Sequence, residues 1–376
     1  MLPEDVQIVS VDDHVIEHPN VFQDRLPAKY KKLGPKSIVN DDGHDVWMFE
    51  DRPHPSIGLN AVAGKEYKDF GLDPVTYAEM RPGFYTPADR MRDMDADGVH
   101  AQLCFPTFPG FCGSTFFAAE DKDLSAACVT AWNDWMLDEW CGAFPDRQIP
   151  LALVPFWDIE KATAEAKRII KRGAKAISFT ESPHALGLPS YHTDHWDPML
   201  AVLNEAGVPL ALHFGSGGAP TVAAEAPFTT AIALFGVNSQ MATIDLVNSP
   251  VFTKFPKLKV ALSEGGIGWL PYILERADYT WERHRWYTGM ENAKRPSELF
   301  RKHIFGCFIA DEAGLANLDR IGVDNVMFES DYPHSDSNWP NARKMLAESL
   351  ANVPDGVARK IAEDNARRVF NFPRSA

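Results

Sequence analysis

Short apolar runs alternate with amphipathic stretches along most of the chain, the rhythm of strand–helix–strand units. The clearest unit is WDIEKATAEAKRIIKRGAKAISF. Asp158 stands where a helix cap belongs, and Ala162, Ala166, Ile169 and Ile170 recur at helical spacing. Basic residues crowd the last turn, and Gly173 supplies the left-handed stop before a buried run near 174–179. HWDPMLAVLNEAGVPLALHFG repeats the grammar: Asp197 is placed to cap, Pro198 to open the helix, Gly207 to end it, and VPLALH to form the next strand. Eight such runs are present: VQIVSV (6–11), HAQLCF (100–105), IPLALVP (149–155), AKAISF (174–179), VPLALH (208–213), KVALS (259–263), HIFGCFI (303–309) and NVMFES (325–330). Eight parallel strands predict an α/β chain closed as a (β/α)8 TIM barrel. A doubly wound open sheet competes, but no GxGxxG follows the first run.

Residues 15–99 are too long for an ordinary connection and read as an insertion after strand one, covering one barrel end. Within it DVWMFED alternates as a strand, RPHPSIGLNAVAG is rich in turn residues, and PADRMRDMDADG reads as a helix. The glycine-rich segments PGFCGSTFF and GSGGAPTVAAEAP have the composition of site loops. ARKIAEDNARRVFNF reads as a helix packed on the barrel wall. No repeat or linker divides the chain, so 1–376 is expected to be one barrel domain.

Charge narrows the partners. With 37 basic against 52 acidic residues the formal net charge is −15, which disfavours nucleic acid and anionic membranes. MLPEDVQIVSVDDH has no basic region followed by an apolar stretch, so no secretory leader is expected, and nowhere do about 18 uncharged apolar residues run together. The five cysteines form no CxxC pair, so a reduced, cytoplasmic protein without a disulfide framework is expected.

A barrel of this kind carries its site at the carboxyl ends of the strands. There stand Asp12-Asp13-His14, His213 and Asp331. Strand alternation turns Asp12 and His14 to one side and Asp13 to the other. Asp12, His14, His213 and Asp331 are the candidate ligands of one divalent metal, zinc by donor type with manganese as an alternative. Singly, each has an ordinary reading as a cap or hydrogen-bonded core residue. Glu264, ending strand six, needs pairing, ligation or a proton, and reads as an acid, a base or a further ligand. His334, three residues past Asp331, can point into the mouth as a catalytic hydrogen-bond donor, and Glu181 is a weaker carboxylate of the same kind. Phe105, Phe214 and Trp269 are placed to grip an apolar substrate, and Arg81 can pair with a substrate carboxylate. Phe108, Phe111, Phe116 and Trp196 add to the aromatic content of this end; half or more of these rings are expected in the core. Cys104 and Cys112 read as inert thiols, and GxSxG, Walker and HExxH motifs are absent.

Taken together, the D-x-H of strand one, LHFGS, FPKLKVALSEGGIGWLP, ESDYPHSD and NARRVF resemble the amidohydrolase-related group of the amidohydrolase superfamily, from Val11 to Phe370. The group includes aminocarboxymuconate semialdehyde and benzoate-type nonoxidative decarboxylases, and some hydrolases. The resemblance implies a (β/α)8 barrel with one divalent metal held by His14, His213 and Asp331, with Asp12 standing where many relatives have His or Glu. It also implies a homodimer. One departure is visible: decarboxylating relatives commonly carry histidine where this chain has Glu264. The expected activity is nonoxidative decarboxylation of a small apolar or aromatic carboxylate, with hydrolysis of a C–C, amide or ester bond as the alternative and a non-catalytic barrel as a third reading.

Overall fold

Each of the eight apolar runs forms a strand in the computed structural model, which describes residues 2–55, 58–73, 75–290 and 293–374. They are β1 (Ile8–Val15), β2 (Val99–Pro106), β3 (Gln148–Ile149 and Leu151–Ala152), β4 (Ala176–Phe179), β5 (Leu210–His213), β6 (Val260–Ser263), β7 (Ile304–Phe308) and β8 (Val326–Phe328). Every adjacent pair from β1 to β8 runs parallel. Pro150 has no N–H to give the ladder and splits β3, while its carbonyl accepts from Lys175 N at 2.8 Å. The ring closes between β8 and β1, where Asp331 N donates to Asp12 O (2.8 Å), His14 N to Tyr332 O (2.7 Å) and Ser330 N to Ser10 Oγ (2.9 Å). The fold is a (β/α)8 barrel.

The period-two pattern sorts side chains into two layers. Val9, Val11, Ala101, Leu103, Phe105, Ile149, Leu151, Ala211, Ala261, Phe305, Cys307 and Met327 form one buried cluster inside the ring. The alternate residues, among them Ile8, Ile177, Leu210, Val260 and Ile304, pack outward against helical Ala162, Ala166, Ile169, Leu200 and Leu203. A register shift between Ser10 and Asp13 sets three β1 steps against two of β2. This bulge moves the inward frame from Val9 and Val11 to Asp12 and His14, so the ligand candidates reach the barrel mouth.

Helix punctuation follows the sequence with one exception. Asp158 caps Ile159–Lys171, accepting from Glu160 N and Lys161 N at 3.1 and 3.0 Å. Asp197, expected to cap, is instead the first residue of Asp197–Ala206, and its carboxylate pairs with Lys254 (2.8 Å). The C-terminal segment does more than lean on the wall: Ala366, Val369, Phe370 and Phe372 join the barrel's interior cluster.

The insertion contains an antiparallel sheet of Lys36–Val39, Asp45–Phe49 and Arg52–Pro55, and a helix at Pro87–Asp97; Ser56 and Ile57 of the expected turn segment lie outside the described residues. Its Trp47 and Phe49 pack with Phe22, Phe108 and Phe116, Trp47 stacking on Phe108 at 4.7 Å. Ala61, Ala63, Met80 and Phe84 pack around Ile16 and Tyr332, beside Asp331. Among the described residues one helical segment, Phe228–Asn248, is long and apolar enough to cross a membrane by length and composition, at mean hydropathy 1.2. It is not a run of uncharged apolar residues, since Thr, Asn and Gln are scattered through it and Asp245 lies near its end. In the fold it lies along the barrel side, burying Ala242, Leu246 and Val247.

Candidate metal centre

Five side chains converge at the barrel mouth: Asp12 and His14 from β1, His213 from β5, and Glu264 and Asp331 from just past the ends of β6 and β8. His14 Nε2 lies 3.3 Å from His213 Nε2, 3.4 Å from Asp12 Oδ1 and 3.1 Å from Asp331 Oδ1; His213 Nε2 lies 3.5 Å from Asp12 Oδ2 and 3.1 Å from Glu264 Oε2. One donor atom each from Asp12, His14, His213 and Glu264 lies within 4.8 Å of all the others. His14, Asp331 and His334 form a second such group, sharing His14 with the first.

The donor chemistry is that of a cation site. His213 Nδ1 is 2.8 Å from the Phe214 carbonyl, which only an N–H can satisfy, so Nε2 carries the lone pair. Burial lowers the His213 pKa to about 3 and that of His14 well below its usual range, keeping both rings neutral. The His213 Nε2 lone pair thus faces His14 Nε2 beside Asp12 and Asp331, whose four carboxyl oxygens accept no hydrogen bond. Buried acceptors left without donors are costly, and a divalent ion satisfies them together. Two imidazoles with carboxylates and room for further ligands suit zinc or manganese. Without such a charge, burial and mutual repulsion push Asp12, Glu264, Glu329 and Asp331 well above the ordinary carboxyl range.

Local backbone geometry aims these groups. Glu264 (φ 55°) and Asp331 (φ 54°) both take the left-handed conformation where β6 and β8 end. Non-glycine residues there are strained, and such strain gathers at functional sites. Behind Glu264, a Cβ on Gly265 would stand 2.4 Å from Ser239 Oγ, so the turn admits only glycine. Trp269, expected to grip substrate, donates its indole N–H to the Gly265 carbonyl at 2.8 Å and braces this loop.

Further polar residues fix the ligands. Asp13 turns away, as alternation requires, and accepts from Ser330 Oγ (2.5 Å) and Tyr332 N (3.0 Å), tying β1 to the Asp331 loop. Arg90 is fully buried and donates to His14 O and Gly83 O, each at 2.6 Å. Glu17, its pKa raised by burial to about 7, accepts from Thr107 N, Phe108 N and Trp132 Nε1 at 2.8–3.1 Å and anchors the loop after β2. Asp311 accepts from Ile267 N and Gly268 N at 2.7 and 2.6 Å, holding the glycine-rich turn behind Glu264. The sequence offered no sign of these four roles beyond isolated polar residues beside apolar runs.

Aromatic rings frame the ligands. His334 stacks on His14 at 3.5 Å with Nδ1 3.5 Å from Asp331 Oδ1, and Phe111 stacks on His213 at 3.7 Å. Phe105 is buried with its ring 5.1 Å from that of His213, while Phe214, also 5.1 Å from His213, stacks on Phe235 at 3.5 Å. Phe108, Phe116 and Trp196 are core residues. Arg81 stays in the insertion, paired with Asp93 (2.6 Å) and lying over Trp339 (4.2 Å). Glu181 is buried outside the ligand groups with Oε1 unpartnered, and Pro183–Leu186 forms the expected turn after it. Cys104 is buried, its thiol pushed up to about 12, and burial likewise raises Cys112.

A protein-family model described as amidohydrolase matches residues 44–372. Gamma-resorcylate decarboxylase of Rhizobium sp. (strain MTP-10005) is 25% identical over 307 residues, covering 75% of this chain and 86% of that protein. Among solved structures, an amidohydrolase from Mycobacterium avium subsp. paratuberculosis K-10 superposes with TM-score 0.75 at 23% identity, covering 98% of each chain. The 5-carboxyvanillate decarboxylase of Novosphingobium aromaticivorans DSM 12444, complexed with manganese and 4-hydroxy-3-methoxy-5-nitrobenzoic acid, superposes with TM-score 0.68 at 20% identity, covering 98% of this chain and 96% of its own.

Proposed function

The chain belongs to the amidohydrolase family, and on that premise we propose that it is a metal-dependent nonoxidative decarboxylase of a small aromatic carboxylate. The observation that carries the reading is the convergence of the His14 and His213 Nε2 atoms with the unpartnered carboxylates of Asp12 and Asp331 in a mouth walled by aromatic rings. The gamma-resorcylate and 5-carboxyvanillate decarboxylases among its relatives support the choice of reaction. Asp12, His14, His213 and Glu264, whose donor atoms meet at one point, are the proposed ligands; Asp331, expected from the sequence as the fourth, lies beside them in the second group with His334 and is proposed as the proton carrier. The manganese bound in relatives and the carboxylate-rich donor set favour manganese over zinc.

When bound, the cation supplies positive charge to hold the substrate carboxylate and a neighbouring oxygen. The remaining work falls to the chain. Phe111 and Phe214 flank His213 and offer faces for an aryl ring. Asp331 and His334, 3.5 Å apart, hold the proton that passes to the ring carbon. As that C–H bond forms, the C–C bond to the carboxylate breaks, its electron pair returns to the ring, and carbon dioxide leaves. Hydrolysis is the second reading, favoured by Glu264, a carboxylate placed to take a proton from water. Metal-repleted protein incubated with 2,6-dihydroxybenzoate and related ring acids is expected to release carbon dioxide and the parent arene in equal amounts; water uptake on acyl substrates, without carbon dioxide release, would establish hydrolysis instead.

A homodimer is the proposed assembly. Met241, Tyr272, Trp286 and Tyr287 are each more than half exposed along two neighbouring helices and the turn that follows. Charges of both signs, Glu275 and Glu282 with Arg276, Arg283 and Arg285, line the same stretch, so a twofold copy can pair them.

A further inference from the structure

Beside Glu264 a cleft of 390 Å³ opens among the segments that follow β5, β6, β7 and β8. Ile232, Phe235 and Ile309 give it an apolar lining, and Phe235 continues through its stack on Phe214 toward His213. The rest is acidic: Glu264, Glu329 and Asp336, with Asn338 beside them. Glu329 is held in place by the Glu264 N–H, which donates to its Oε2 at 3.0 Å. Among the described residues no lysine or arginine lines this cleft. Arg81 is engaged by Asp93, and Arg90 is buried against the His14 and Gly83 carbonyls.

Resting on the decarboxylase reading, we propose that this cleft restricts the substrate to an aromatic ring with a single carboxylate and hydrogen-bond-donating substituents, hydroxyl or amino, and that Asp336 is a specificity-determining residue. The cation balances one substrate carboxylate. A second would enter a lining that offers no lysine or arginine to pair with it, and a site that leaves a buried charge unpaired discriminates as effectively as an added contact. Hydroxyl or amino groups meet acceptors instead: carboxylate oxygens and the Asn338 amide. The ring itself is matched to Ile232, Phe235 and Ile309. Two relatives mark the alternatives, since 2,6-dihydroxybenzoate carries one carboxylate and two donors whereas 5-carboxyvanillate carries two carboxylates. Asp336 stands at the exposed rim, where a charge acts on an arriving anion and is screened by salt.

The test uses the full-length, manganese-loaded protein at low ionic strength. Carbon dioxide release is compared for 2,6-dihydroxybenzoate and 5-carboxyvanillate, and the affinity of each compound is measured by calorimetry. The dihydroxy acid is expected to lead by about tenfold or more in kcat/KM and in affinity, an advantage that shrinks with added salt. In Asp336→Asn the ratio is expected to move several-fold toward the dicarboxylate while metal content stays unchanged. Equal or better use of 5-carboxyvanillate by the unmodified protein, or an unchanged ratio in Asp336→Asn, overturns the proposal. If neither compound releases carbon dioxide, the decarboxylase reading fails, and the calorimetric ratio still decides the charge selectivity: equal affinities refute it.

Discussion

Glu181 offers a test in which structure converts directly into free energy. Its carboxyl is buried at the end of β4, Oε2 is 3.5 Å from Asn238 Nδ2, and burial outweighs that amide and the nearby Gly215 and Gly217 N–H groups to raise its pKa from the ordinary 4.5 to about 8. A group whose folded pKa is raised favours the folded state fully below its unfolded value. That contribution is lost as the pH rises through about 8. Between pH 6 and pH 9 ionisation of this one group should cost the native state about 3 kcal/mol. Glu181→Gln keeps the shape and removes the proton equilibrium. Urea unfolding of both proteins, followed by tryptophan fluorescence, should therefore give a stability difference that shifts by about 3 kcal/mol in favour of the variant from pH 6 to pH 9. A difference that stays constant across that interval would mean that Glu181 is already ionised inside the fold, and the burial argument would fail.

Asp331→Asn should leave the bound metal in place and lower carbon dioxide release by about a thousandfold or more, because the amide cannot shuttle a proton between His334 and the ring; undiminished turnover would remove Asp331 from the chemistry. Glu264→Gln should weaken metal retention on dialysis, and a variant that kept its ion while losing only the chemical step would make Glu264 the acid or base rather than a ligand. Sedimentation of the full chain should report a dimer, with Tyr272→Glu combined with Trp286→Glu shifting it to monomer; a monomer in the unmodified protein would discard the proposed interface.

The barrel was legible because its signals are local. A strand buried on both faces has to be apolar, and a helix that closes on one has to show its stripe, so all eight runs could be counted from the sequence. The residues that converge at the mouth were legible for a related reason: Asp12, His14, His213, Glu264 and Asp331 are polar where apolar strands end. What stayed hidden depends on distant partners. Arg90 looks like any charged residue of a surface helix until the fold buries it against the His14 carbonyl. Glu17 and Asp311 act through backbone N–H groups about 90 and 44 residues away in the chain, and no local spacing encodes that. The bulge in β1 was concealed because Asp12 and His14 keep their mutual alternation across it and only their phase relative to Val9 and Val11 changes. Trp269 was assigned to substrate because it follows a strand end, but its indole N–H found a nearer acceptor in the Gly265 carbonyl. Asp197 missed its cap because Lys254, remote in sequence, claims its carboxylate.

Metal content of the repleted protein, before and after replacing both His14 and His213 with Ala, bears on everything proposed for the site. After exhaustive dialysis the unmodified chain should retain about one divalent ion, and the double variant, folded by circular dichroism, should retain almost none. An unmodified chain that holds no ion, or a double variant that holds as much as its parent, would show that these buried lone pairs do not grip a cation.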